Sequence, residues 1–125
     1  MAKKNNKGRS SYDRHIRFYY YLLKSEAWRS LKPGPRALLI ELYSLYNGNN
    51  NGDIFLSERE AARRCNVNRK TAARYFHDLQ EKGFIFPKTK GCFNVKSPEA
   101  TAWILTEFPY NGNLPTKDFM RWNGQ

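Results

Sequence analysis

The sequence predicts an α+β fold: a winged three-helix core with a small antiparallel sheet, preceded by an aromatic segment and followed by a tail. Three observations predict it. Residues 57–85 read as two short helices around a tight turn. Residues 36–46 carry one amphipathic helical stripe. Phe84–Pro87 and Ala100–Phe108 have the composition of strands.

The helix pair comes first, because the rest is organised around it. Ser57 suits the N-cap of the first helix, and Glu60, three residues on, completes an S-x-x-E capping box. Ala61, Ala62 and Cys65 give that helix a small apolar face, and Cys65 is expected to be a core thiol. Asn66-Val67-Asn68 is the turn, with Val67 as its buried plug. Asn68 suits the N-cap of the second helix, and Gly83 suits its C′ stop. At about 100° per residue, Ala72, Tyr75, Phe76 and Leu79 fall on one side of the second helix. Lys70, Arg74 and His77 fall opposite, with Arg69 at the leading edge. The acids Asp78 and Glu81 come late, so the exposed face is cationic in its first half. A helix that enters a major groove by its N-terminal end needs that asymmetry.

In order, S-E-R-E-A-A, C-N-V-N-R-K-T-A and L-Q-E-K-G-F-I resemble the winged helix-turn-helix of bacterial DNA-binding proteins, the GntR and related regulator families above all. The resemblance covers Ser57–Ile85 well and extends weakly over residues 35–106. It implies double-stranded DNA as partner, with the second helix as the recognition helix. Fold likeness fixes neither target nor process.

Charge agrees with that implication. The chain of 125 residues has a net charge of +11, an electrostatic footprint for polyanions. Residues 1–36 hold ten Lys/Arg against two acids, and residues 57–98 hold ten against four; the stretches between and after are slightly acidic. Length allows one domain. The expected layout is a disordered basic arm (1–11), an aromatic N-terminal extension (12–34), the winged helix-turn-helix domain (35–108) and a C-terminal tail (109–125).

The arm, with Lys3, Lys4, Lys7 and Arg9, has no apolar residues to fold around. It reads equally well as a solubilising tail or as an arm on phosphates or in a minor groove. The segment after it is rich in tyrosine. An extended start is expected, then a helix near Ser25–Ser30 capped by Ser25. Its tyrosines could stack on bases; packing on the domain or on a second copy is the preferred reading. Lys32-Pro33-Gly34-Pro35 reads as a hinge, and Pro35 as the first position of a helix over Arg36–Tyr46. Leu38, Leu39, Leu42, Leu45 and Tyr46 are its buried stripe. Residues 47–52 are a turn-rich Asn/Gly loop, and Asp53–Leu56 a short strand.

Beyond the recognition helix, Phe84–Pro87 either pairs directly with the strand at Ala100–Phe108, leaving residues 88–99 as one long wing, or Cys92–Val95 is a middle strand. Direct pairing is preferred, because Ser97-Pro98 breaks the middle segment. The tail, ending in Phe119-Met120-Arg121-Trp122, is expected to lie over the domain as a clasp; the alternative is an exposed partner-binding peptide.

The candidate DNA contacts are therefore as follows. Asn68, Arg69, Lys70, Thr71 and Arg74 belong to the recognition helix, where Arg suits a bidentate contact to guanine. Ser57, Arg59, Arg63 and Arg64 would meet the backbone from the preceding helix, Lys88, Lys90 and Lys96 from the wing, and Lys3, Lys4, Lys7 and Arg9 from the arm. No Gly-rich phosphate loop, metal-ligand spacing or catalytic constellation is present in the sequence, so no enzyme, cofactor, metal or small-molecule ligand is expected. There is no secretory signal and no run near the roughly 18 apolar residues of a membrane span, so a cytoplasmic, nucleoid-associated protein is expected. Transcription regulation is the first reading, with a homodimer as a candidate arrangement. The second is a role in replication or plasmid and phage maintenance, since the aromatic segment plus winged domain loosely resembles initiator-type winged helices and small proteins of mobile elements. A winged helix that binds only protein is disfavoured by its cationic recognition helix. Double-stranded RNA is disfavoured because A-form major grooves exclude a helix.

Overall fold

The computed structural model describes residues 13–88 and 101–124. In chain order these form α1 (Tyr20–Leu23), α2 (Glu26–Ser30), α3 (Pro33–Ser44), β1 (Ile54–Phe55), α4 (Glu58–Cys65), α5 (Arg69–Glu81), β2 (Ile85–Pro87), β3 (Ala102–Leu105) and a 3₁₀ turn at Asp118–Arg121. The sheet is antiparallel, in the order β1-β3-β2. β2 pairs directly with β3, Ile85 opposite Leu105 and Phe86 opposite Ile104, which is the preferred arrangement for the wing. The segment that would have formed a middle strand, Cys92–Val95, lies outside the described residues.

Helix boundaries follow local chemistry. The Ser25 hydroxyl accepts from the Trp28 N–H and caps α2. α3 begins earlier than expected: Pro33, not Pro35, occupies its first position, where a missing N–H costs nothing. Lys32–Pro35 is thus not a hinge but a helix start. Gly34 is required there by packing, since a Cβ would collide with the Tyr75 ring of α5. At the other end, α3 stops at Ser44 rather than Tyr46, with Leu45 as its cap.

The strands are shorter than the composition suggests. β1 spans two residues rather than four. β3 ends at Leu105 because the chain turns there, the Phe108 N–H donating to the Leu105 carbonyl at 3.2 Å. The Asn/Gly loop is more than a loop. Asn51 donates to the carbonyls of Leu105, Phe108 and Pro109 and accepts from the Leu105 N–H, fastening the end of β3.

One core joins these elements. Leu38, Leu39 and Leu42 of α3 meet Ala61 of α4, Ala72, Phe76 and Leu79 of α5, and the inward residues Ile54, Ile85, Trp103 and Leu105 of the sheet. Leu22, Ala27 and Leu31 from the aromatic segment and Phe119 from the tail lie in the same core. Phe119 stacks on Phe84 at 4.8 Å, so the tail is a clasp. Gly83 makes room for it: its φ is +85°, and a Cβ would lie 2.8 Å from the Phe119 nitrogen. Deep in the structure, the carboxylate of Glu107, 6% exposed, accepts from Tyr21 Oη at 2.7 Å and from Tyr43 Oη. Burial first, then the neighbouring carboxylate, pushes the Tyr43 hydroxyl well above the ordinary tyrosine pKa. Among the described residues, no helix is long and apolar enough to cross a membrane.

Candidate nucleic-acid interface

The interface is built from the α4–α5 pair. Ser57 Oγ accepts from the Glu60 N–H at 3.0 Å and starts α4. The reciprocal half of the capping box does not form. The Glu60 carboxylate turns instead to Arg63 (Nη2 at 2.5 Å) and Arg64 (Nε at 3.0 Å). Those hydrogen bonds, Arg63 first, hold the Glu60 carboxyl down to about 2. Arg64 also reaches Glu41 of α3 at 3.3 Å, bracing α4 against α3. Arg63 is 72% exposed and Arg64 only 29%.

The turn is tight because Asn66 takes the left-handed conformation (φ 60°, ψ 47°), which asparagine tolerates. Val67 is half-buried against the core, as a plug between the two helices. Cys65 is a correction: it is half-buried, not a core thiol, since the C-terminal end of so short a helix lies at the rim of the core. Burial pushes its thiol up, away from thiolate reactivity.

Asn68 Oδ1 accepts from the Thr71 N–H at 2.8 Å and fixes the first turn of α5. Ala72, Phe76 and Leu79 are buried and Tyr75 is half-buried, which forces the opposite side outward. Arg69, Lys70, Arg74 and His77 are all exposed there. Arg69 lies 3.6 Å from Glu58, both half-exposed. Among the described residues, Lys70, Arg74 and Arg59 take part in no ion pair. Thr71 is half-buried beside them. Ala73, which the sequence reading passed over, lies on the helical arc between Arg69 and Lys70. Its small side chain lets a partner approach the helix backbone; only a wheel drawn for small residues as well as charged ones shows it.

Lys88 stands at the base of the wing. Its N–H donates to the Ala102 carbonyl at 2.8 Å, and its Nζ lies 3.2 Å from Asp53. Lys90, Lys96, Lys3, Lys4, Lys7 and Arg9 lie outside the described residues. The structure thus gathers Arg69, Lys70 and Arg74 on one face, sets Ser57 and Arg59 at the start of α4 and diverts Arg63 and Arg64 into ion pairs with acids of the chain itself.

No curated protein and no solved structure matches the chain. Residues 29–85 match the family model of a helix-turn-helix domain. That span opens within α2, holds α3, α4 and α5 entire and closes at the first residue of β2. Residues 29–85 thus form a helix-turn-helix domain, which supports binding to DNA.

Proposed function

We propose that this protein binds double-stranded DNA in a sequence-specific manner and regulates transcription. The observation that carries this reading is the first half of α5. Its start is pinned by Asn68, and Lys70 and Arg74 project one turn apart with no ion-pair partner among the described residues. In this reading Arg74 and Arg69 reach base edges, Lys70 and Thr71 hold phosphates, and the Asn68 amide meets the backbone. Ala73 contributes apolar contact, as to a thymine methyl. Ser57, Arg59 and Arg63 face the flanking phosphates. Arg64 is the least available, being drawn toward α3. Lys88, Lys90 and Lys96 of the wing and Lys3, Lys4, Lys7 and Arg9 of the arm add phosphate or minor-groove contacts. The GntR-like pattern of Ser57–Ile85 and the cytoplasmic, nucleoid-associated setting belong to the same reading.

A role in replication or in plasmid and phage maintenance is the second reading. It is favoured by the aromatic segment, which shares the core of the helix-turn-helix rather than trailing from it.

A gel shift with duplex DNA tests the binding. Complex formation should be clear at about 50 mM salt and fall by orders of magnitude by about 200 mM. No shift at the lower salt would overturn both readings. Selection of bound sequences from a random pool then separates specific from general binding. A palindrome with half-sites about 10 base pairs apart would mean a homodimer.

A further inference from the structure

The aromatic segment builds a second feature away from α4, α5 and the base of the wing. Residues 15–19 run alongside the C-terminal end of α3 and the turn after β3, and a cleft of about 320 Å³ opens between them. That volume lies at the lower end of small-molecule sites, about 300–1,000 Å³. Tyr46 and Phe108 stack within its wall, ring centres 4.2 Å apart and 12° from parallel. Tyr43 forms another part of the wall, its hydroxyl turned away to Glu107. Tyr19 stands on the rim, 49% exposed although it stacks on Tyr21. Arg17 and His15 share that rim. Arg17 is exposed and donates to Tyr19 Oη at 3.3 Å. His15 Nδ1 is engaged by the Asp13 carbonyl at 3.2 Å, which leaves Nε2 for a ligand. No carboxylate lines this cleft. A shallower depression continues past His15 and Tyr46, where Asp13 and Arg14 line it together, so the acid lies outside the cleft itself.

Flat π-surfaces beside a guanidinium, in a site with no acid, suit one chemistry: a planar base that carries a phosphate. Duplex DNA hides its bases in the stack, so the cleft cannot take it. We propose that the Tyr19–Tyr46–Phe108 cleft binds an unpaired nucleotide, the base against the aromatic wall and the phosphate against Arg17. The ligand is either a free nucleotide or one residue of a single strand. A single strand at this cleft and a duplex on α5 would be separate occupancies.

The test is a double dissociation, read by fluorescence anisotropy. Labelled oligothymidylate of about ten residues and a labelled duplex are titrated against the full chain and its variants. Tyr19→Ala and Arg17→Ala should each weaken single-strand binding about tenfold, in the range for loss of one stacked base, while duplex binding is kept. Retained duplex binding also shows that the variants fold. Tyr19→Trp should restore the single strand. Arg74→Ala should do the reverse, weakening the duplex and sparing the single strand. Competition by thymidine monophosphate at matched nucleotide concentration marks a free-nucleotide site; competition by oligomers alone marks a strand site. The proposal falls if the chain binds neither the single strand nor labelled thymidine monophosphate, or if Tyr19→Ala and Arg17→Ala leave that binding unchanged. Either result leaves the duplex reading standing, and loss of duplex binding alone leaves this one standing.

Discussion

Helices α4 and α5 carry three cations each, Arg59, Arg63 and Arg64 on one and Arg69, Lys70 and Arg74 on the other, and use them in opposite ways. In α4, Arg63 and Arg64 are held by Glu60, and Arg64 also by Glu41. In α5, only Arg69 lies near a carboxylate, at 3.6 Å. The order of residues explains the difference. Glu60 precedes Arg63 and Arg64 by three and four positions, the spacing and direction in which an acid and a base meet on a helix. On α5 the sequence is reversed: Asp78 follows Arg74 by four, the weaker orientation, and no ion pair forms between them. Two of the three cations of α4 are paired from within, and two of the three of α5 are left for an anion from outside. The contrast shows that counting cations does not find a binding face; their distance and direction from the nearest acids does.

The strongest way to break this contrast is Arg74→Ala. If Arg74 reads a base, its loss should cost about 1–3 kcal/mol of discrimination, roughly 5- to 150-fold, at one position of the selected site. The melting temperature should not change. Competition binding between the selected site and random duplex measures it. Uniform weakening across all sequences would move Arg74 to the phosphates.

The two N-caps sharpen the same contrast. Ser57→Ala and Asn68→Ala should each cost about 1 kcal/mol of stability by denaturant titration. Asn68→Ala should weaken DNA binding more than Ser57→Ala does, because the turn it fixes carries Arg69 and Lys70. Equal effects of the two on binding would mean that the start of α5 is not the contact surface.

Those caps were legible in the sequence for the reason that makes them testable: donor and acceptor lie three residues apart. The turn at Asn66–Asn68, the Gly83 stop and the direct β2–β3 pairing are similarly local, or follow from one proline. What was not legible is non-local. Glu107 read as one more residue of a strand, yet its partners Tyr21 and Tyr43 are 86 and 64 residues away. Gly34 looked like a hinge because nothing nearby shows that Tyr75 needs its space. The cleft of Tyr19, Tyr46 and Phe108 draws on three separate segments. Of the candidate site, the α5 face could be read from a helical wheel. The diversion of Arg64 could not, because Glu41 sits on another helix.

Arg64→Ala turns that diversion into a measurement. The pair with Glu41 is about two-thirds shielded on each side, so its loss should cost at most about 1 kcal/mol of stability. DNA affinity and its salt slope should be unchanged. A slope reduced by about one would place Arg64 on a phosphate after all.

The smallest effect concerns Glu60, and its sign can be worked out. Its carboxyl is held at about 2 in the folded chain against an ordinary value of 4.5. A depressed carboxylate adds stability that is complete above the ordinary value and disappears as pH falls through the folded one. The melting-temperature gap between the native chain and Glu60→Gln should therefore be constant from about pH 5 to 7, then narrow between about 4.5 and 2. Since the ion pairs are largely exposed, that gap should be slight. The same variant loosens the hold on Arg63, which is already 72% exposed. If Arg63 then turns to the backbone of bound DNA, the salt slope should steepen by about one phosphate contact. An unchanged slope would place Arg63 off the DNA, and would leave α5 as the cationic face of this pair.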